Sequence, residues 1–435
     1  MVRTGPMASP PATLDRRTLL AGLGGLALNQ AWPAAGGAEG LATVAIPAHM
    51  STLSLRRDGP VTEVWSLGEA PLQFNRGQSA HIEVRNGLPR SIYLNWRGID
   101  GAPALEPFLP NNTIAERGQS AKFKLDARHA GTFACELTSF SPPPTPPSRA
   151  LPVIIAEAEA VAVDGDQVLL IEEWRLRADG SAIPPGADPE KSAPVYTVNG
   201  KSSFNVSVSK HQRLRLRFIN GSQRTVIAIK LDAVELRVMA IDGQPAEPFP
   251  ARNGAMVLPP GGRLDAFVDA TASSSILLHD GKEARVIGRL SLSSEPPTRN
   301  EPLSPAPPLL SNGLPLQIDL KSALRFEIAL AEPNLLGIII PGTPPAFRAK
   351  LGRPVVLALT NRASVAHVFH LHGHHFRLLD RLDDGWKPFW LDTLVIEPGQ
   401  TQRIAFLAEH AGRYLIESVA TEWSAPRLVR WYAVE

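Results

Sequence analysis

From Leu41 onward, apolar and polar residues alternate in short runs, and glycine, proline or asparagine ends nearly every run. Alternation places successive side chains on opposite faces of an extended chain, so each run reads as a half-buried strand. AHIEVRNGLP (80–89) and SIYLNWRGID (91–100) predict two strands about a turn at Asn86-Gly87, and AKFKLDA (121–127) and TFACELT (132–138) predict two more. VYTVNG, RLRLRFING, VELRVMAIDGQP and LPPGGRLDAFVDA repeat the pattern between 195 and 270. RPVVLALTN, AHVFHLHGHHF, QRIAFLA and GRYLIESVA repeat it again between 353 and 420. Two proline-dense stretches interrupt the strands. Residues 139–152 predict an extended loop, and residues 295–313 a stiff linker, because proline removes the backbone donor that sheet pairing needs.

The chain has 435 residues, enough for several domains, with 44% hydrophobic and 20% charged residues and a net charge of +2. That near-neutral balance gives no electrostatic case for nucleic acid or an anionic membrane. Forty-one prolines and 34 glycines suit strands and turns better than long helices. Cys135 is the single cysteine and excludes an intrachain disulfide. Near the N-terminus, Arg16-Arg17 precede an apolar run from Leu19 to Leu28, too short to cross a bilayer. Residues 1–40 therefore read as a cleaved export signal with a flexible segment, and the arginine pair resembles a bacterial twin-arginine signal. The expected location is the periplasm, with no transmembrane anchor after signal cleavage.

The candidate chemistry is concentrated in HVFHLHGHHF (367–376), which carries His367, His370, His372, His374 and His375. In an extended strand His370, His372 and His374 share one face, and His367 and His375 the other. One strand could then serve two metal centres. The spacing H-x-x-H-x-H followed by Gly-His resembles the first copper motif in the C-terminal domain of multicopper oxidases. That resemblance implies an all-β fold of three consecutive cupredoxin-like Greek-key sandwich or barrel domains, at 41–161, 162–294 and 314–435 around the 295–313 linker. It also implies copper as cofactor, with His367 on the blue type 1 site and His370 and His372 on the trinuclear cluster.

The remaining family motifs match in frame and depart at the ligands. The resemblance places Asn95-Trp96-Arg97-Gly98 on His-Trp-His-Gly, and Glu136-Leu137-Thr138 on His-x-His. In the last motif Glu417, Ser418 and Val419 stand at His-Cys-His, Trp423 at the second blue-copper histidine and Leu428 at the axial methionine. A serine hydroxyl is hard and protonated, so it does not replace a thiolate. The expectation is no full copper set, and at most one copper ion on the retained imidazoles. Asn95, Arg97, Glu136, Thr138, His370, His372, Glu417 and Val419 are expected to converge between the first and third domains, with Arg97 facing Glu136 or Glu417. His374 and His375 lie beyond the family's ligand set and read as solvated. Cys135 reads as a buried, inert thiol, Asp392 as a turn residue, and His129 and His410 as scattered.

Three functions compete. The first is an exported, non-catalytic binding or scaffold protein of the envelope, resembling a copper-free cell-division branch of the superfamily. It would be a monomer whose partner is a cell-wall or division protein. The second is an active copper-binding oxidoreductase acting on phenols or metal ions. The third is a mononuclear metal binder using the His367 to His375 run.

Overall fold

The alternating runs form the expected strands. Ser79–Asn86 turns Ala80, Ile82 and Val84 inward and His81 and Arg85 to water, as a strand with one wet face must. Other strands are buried on both faces. Ile92–Arg97, Gly131–Ser139, Arg213–Asn220 and Gly412–Ala420 each have one face on their own core and one against a neighbouring domain. Those two-faced strands carry the site described below.

In this computed structural model the described residues are 41–56, 59–107, 109, 113–139, 147–297, 299–331, 339–380 and 385–435. The twin-arginine segment and residues 140–146 of the 139–152 loop lie outside them. Leu41 to Glu435 form one unit built of three two-sheet sandwiches in chain order. The first pairs two four-stranded sheets around Ile82, Trp96, Phe133 and Val153. The second sets a six-stranded sheet on a five-stranded one around Leu216, Phe218, Ile229 and Ile276. The third sets a four-stranded sheet on a five-stranded one around Leu357, Phe369, Phe406 and Tyr432. Each sandwich mixes antiparallel neighbours with parallel pairs between strands distant in sequence, such as Thr43–Ala48 beside His81–Asn86, so the chain crosses between sheets as in a Greek key. Among its described residues the linker carries no strand, yet Asn312 at its end is buried, accepting from the Ala130 amide at 2.9 Å and donating to the Ala130 carbonyl at 2.8 Å.

The sandwiches meet through buried charge. In RLRLRFIN (213–220) the leucines and Phe218 fill the second core, while Arg215 and Arg217 face the first domain at 1% and 3% side-chain exposure. Arg215 pairs with Asp265 and Glu157. Arg217 pairs with Asp166 and donates to the Thr132 hydroxyl at 3.0 Å, which itself donates to Asp265 at 2.6 Å. Between the second and third domains Arg263 grips Asp392 with two guanidinium nitrogens, and the Asp242 carboxylate accepts from the Asp392 and Thr393 amides. Asp392, read from sequence as a turn residue, is thus half of a buried ion pair.

Candidate functional site

The strand His367–Leu371 lies between Thr393–Ile396 and Gly412–Ala420, with His370 opposite both Thr393 and Glu417. Each histidine of the run has its own surroundings. His367 Nδ1 lies 3.0 Å from the Ser418 hydroxyl, which donates to the Leu330 carbonyl at 3.2 Å. The hydroxyl has spent its proton there, so it accepts from His367, whose Nδ1 lone pair is thereby unavailable. Leu428 stands opposite Ser418 on the next strand, and Trp423, buried in the following turn, lies under the Arg175 guanidinium at 5.6 Å.

His370 and His372 share a side, with ring centroids 4.4 Å apart. His370 Nδ1 is 2.8 Å from the Thr393 hydroxyl, and that hydroxyl donates to Asp392 at 2.6 Å. Nδ1 therefore carries the proton and Nε2 a lone pair, and Nε2 is buried without a hydrogen-bond partner. His372 Nε2 meets Glu417 at 3.2 Å, and burial pushes its pKa down to about 4.

The sequence reading fails at the next two histidines. Gly373 takes φ +79°, which ends the extended geometry, so His374 does not continue the face of His370 and His372. His374 and His375 are not solvated, at 3% exposure each. His374 enters the third core, Nδ1 2.7 Å from the Tyr432 hydroxyl, and burial lowers its pKa to about 3. His375 sets Nδ1 2.8 Å from the Asp100 carboxylate and Nε2 2.8 Å from the Asp242 carbonyl. A carbonyl only accepts, so both nitrogens bear protons. Burial opposes that charge, but Asp100 outweighs it and raises the pKa to about 9. The run therefore does not converge on one point as a ligand set. The one trio among the described residues with metal-compatible spacing is Asp100, His129 and His375, and His375 has no lone pair left in it. His129 and His410, scattered in sequence, belong to this neighbourhood, the latter stacked on His374 at 5.6 Å.

The residues expected to converge do lie together. Arg97 bridges Glu136 at 2.7 Å and Glu417 at 2.8 Å, joining the first and third sandwiches. Glu417 also pairs with Arg427 at 3.1 Å, which reaches Glu106 at 2.8 Å. Asn95 donates to Thr138 at 3.1 Å, and Val419 contributes an apolar wall. Burial disfavours ionising Glu417, but Arg427 and Arg97 outweigh it and hold the carboxyl well below its usual range. The same two glutamates keep Arg97 above its own range despite burial. Arg97, Glu136, Thr138, His370, Glu417 and Val419 all line one cavity of about 90 Å³.

Sequence reasoning missed what else lines it. Arg149 comes from the segment just ahead of the strand Leu151–Ala156, and Arg224 from the second domain. No motif marked them, because both are placed by contacts across domain boundaries. Cys135 faces the first core opposite Trp96, and burial raises its thiol far above the ordinary range.

A family model described as multicopper oxidase matches residues 316–435, and a second with the same description matches 166–276, together more than half of the chain. Among curated proteins, the multicopper oxidase MmcO of Mycobacterium tuberculosis is 26% identical over 242 residues, 51% of this chain and 47% of that protein. The cell division protein FtsP of Pectobacterium atrosepticum is 27% identical over 254 residues, 52% of this chain and 53% of that one. The chain thus spans about half the length of the curated relatives it matches. Among solved structures, a multi-copper oxidase from Pseudomonas thermotolerans superimposes with a TM-score of 0.75 at 21% identity, over 90% of this chain and 99% of its own. Lac15 from a marine metagenome gives 0.74 at 21%, over 90% and 100%.

Proposed function

The chain belongs to the multicopper oxidase superfamily, and within it we propose that it is a copper-free binding or scaffold protein of the bacterial envelope, exported by the twin-arginine route. The observation that carries this reading is the hydrogen bond between His367 Nδ1 and the Ser418 hydroxyl, 3.0 Å long. A blue copper site needs a thiolate there, and the hydroxyl is a hard, protonated oxygen that instead accepts from His367 Nδ1–H, so that Nδ1 keeps its proton and has no lone pair for a metal. The donor set around it does not fit copper either. Trp423 and Leu428 offer no ligand atom, and Val419 offers none to the neighbouring cluster. Glu136 and Glu417, which could ligate in principle, are neutralised by Arg97 and Arg427. A guanidinium between them repels a cation. Similarity to a protein named for cell division, with the Arg16-Arg17 pattern ahead of an apolar run, supports an envelope role. No helix among the described residues is long and apolar enough to cross a membrane.

The competing reading, a copper oxidoreductase acting on phenols or metal ions, draws on the similarity to MmcO. Loading the purified chain with excess Cu(II), removing loose metal, and measuring copper content, visible absorption and dioxygen uptake with a phenol decides between them. The expected result is no stoichiometric copper, no thiolate-to-copper band and no uptake. A blue protein or sustained oxygen consumption overturns the proposal. Cross-linking in the intact envelope is expected to recover a cell-wall or division protein, and recovery of none counts against the scaffold role.

A further inference from the structure

Of the arginines that wall the cavity lined by Arg97, Glu136, Glu417 and His370, one lacks a carboxylate partner. Four arginines face it, Arg97, Arg149, Arg224 and Arg427, against two glutamates. Glu172 and Glu106 pair Arg149 and Arg427 from behind. Arg224 has no such partner among the described residues. It is 7% exposed, and its nitrogens reach only the carbonyls of Ala425 and Gln223, at 2.8 to 3.1 Å. Those bonds leave part of its five-donor fork unused. Arg427 Nη1 is likewise buried with no acceptor. A buried guanidinium without a counter-charge is costly, and one facing a polar cavity calls for an anion.

His370, in the same lining, narrows the chemistry. His370 Nε2 presents a lone pair, because its Nδ1 proton is committed to Thr393. A ligand that satisfies both needs bare oxygens for the arginines and one O–H for the imidazole. The volume, about 90 Å³ against the roughly 10–15 Å³ that one water needs, has room for a small oxyanion. We propose that this cavity binds a small hydroxylated oxyanion, phosphate or bicarbonate, through Arg224, Arg427 and His370 Nε2 of its lining. Sulfate is isosteric with phosphate but fully deprotonated, so it sets a lone pair against the Nε2 lone pair and is rejected.

This inference rests on the reading that no copper cluster fills the cavity, so the copper content of the same sample is measured first. Titration calorimetry at neutral pH then compares sodium phosphate, sodium bicarbonate and sodium sulfate at matched ionic strength. The expected result is saturable one-to-one binding of phosphate or bicarbonate, at least tenfold tighter than sulfate, and a further tenfold or greater loss in Arg224→Gln. Equal affinity for sulfate, no saturable heat with either hydroxylated anion, or unaltered affinity in a folded Arg224→Gln overturns it. Should that variant not fold, a crystal of the unaltered chain soaked in arsenate gives the answer by anomalous scattering. A peak between Arg224 and His370 supports the site, and a crystal with none there overturns it. Stoichiometric copper would instead defeat the copper-free reading, whereas a metal-free chain that ignores these anions defeats only the anion site.

Discussion

Arg97, which the sequence resemblance set at an expected ligand position, is the hub of a charge network. Its guanidinium touches Glu136 of its own sandwich and Glu417 of the third. Removing it leaves the buried Glu417 and the half-buried Glu136 with fewer counter-charges, and breaking a buried pair such as Arg97–Glu417 costs about 3–5 kcal/mol. Arg97→Ala is therefore expected to lower the melting temperature by several degrees. Adding Glu417→Gln should recover part of the loss, because the stranded charge goes with it. An unchanged melting temperature for the single variant would show that solvent already screens the network. Much of this was legible in the sequence, since the resemblance led to the expectation that Asn95, Arg97, Glu136, Thr138 and Glu417 converge, and they do lie together. What was not legible is Arg224, which sits in no motif and reaches the cavity only because the second sandwich packs its turn against Ala425.

At the level of the element, alternation carries the prediction as far as the strand runs and no further. It gives the strand His367–Leu371 and the shared side of His370 and His372. It misplaces His374 and His375, because one left-handed residue re-aims the chain. Gly373 also admits no side chain, since a Cβ there would lie 2.1 Å from the Tyr414 ring. Gly373→Ala should thus cost the roughly 1–2 kcal/mol of a left-handed alanine and a further amount to displace a core tyrosine. The check is chemical denaturation, and a loss below 1 kcal/mol, by the same scale, would mean the turn relaxes freely. In RLRLRFIN the period was equally legible and its meaning was not. Alternation fixes which residues share a face, but only the neighbouring sandwich makes the arginine face as dry as the leucine face.

For the whole molecule, His375 ties together what three separate cores could not. It stands in the third sandwich and donates to Asp100 of the first and to the Asp242 carbonyl of the second. Folding raises its pKa from an ordinary 6.5 to about 9. Below 6.5 the imidazole is protonated folded or unfolded, and its full contribution is present. Between 6.5 and 9 the unfolded chain sheds the proton while the folded one keeps it, so stability falls as pH rises, by about 1.4 kcal/mol per unit and about 3 kcal/mol in all. Above 9 the contribution is gone. His372 and His374 act in the opposite direction, because they are buried neutral, with pKa values near 4 and 3. Their part is present above 6.5 and is lost as pH falls towards those values. Stability should therefore peak near neutrality and decline on both flanks. Urea unfolding at about pH 6.5, 8 and 9.5, spanning the window set by these shifts, should show the alkaline decline in the unaltered chain and not in His375→Gln. If the two chains decline in parallel, the junction is held by contacts such as those of Arg97, Arg217 and Arg263, and the imidazolium is a passenger there.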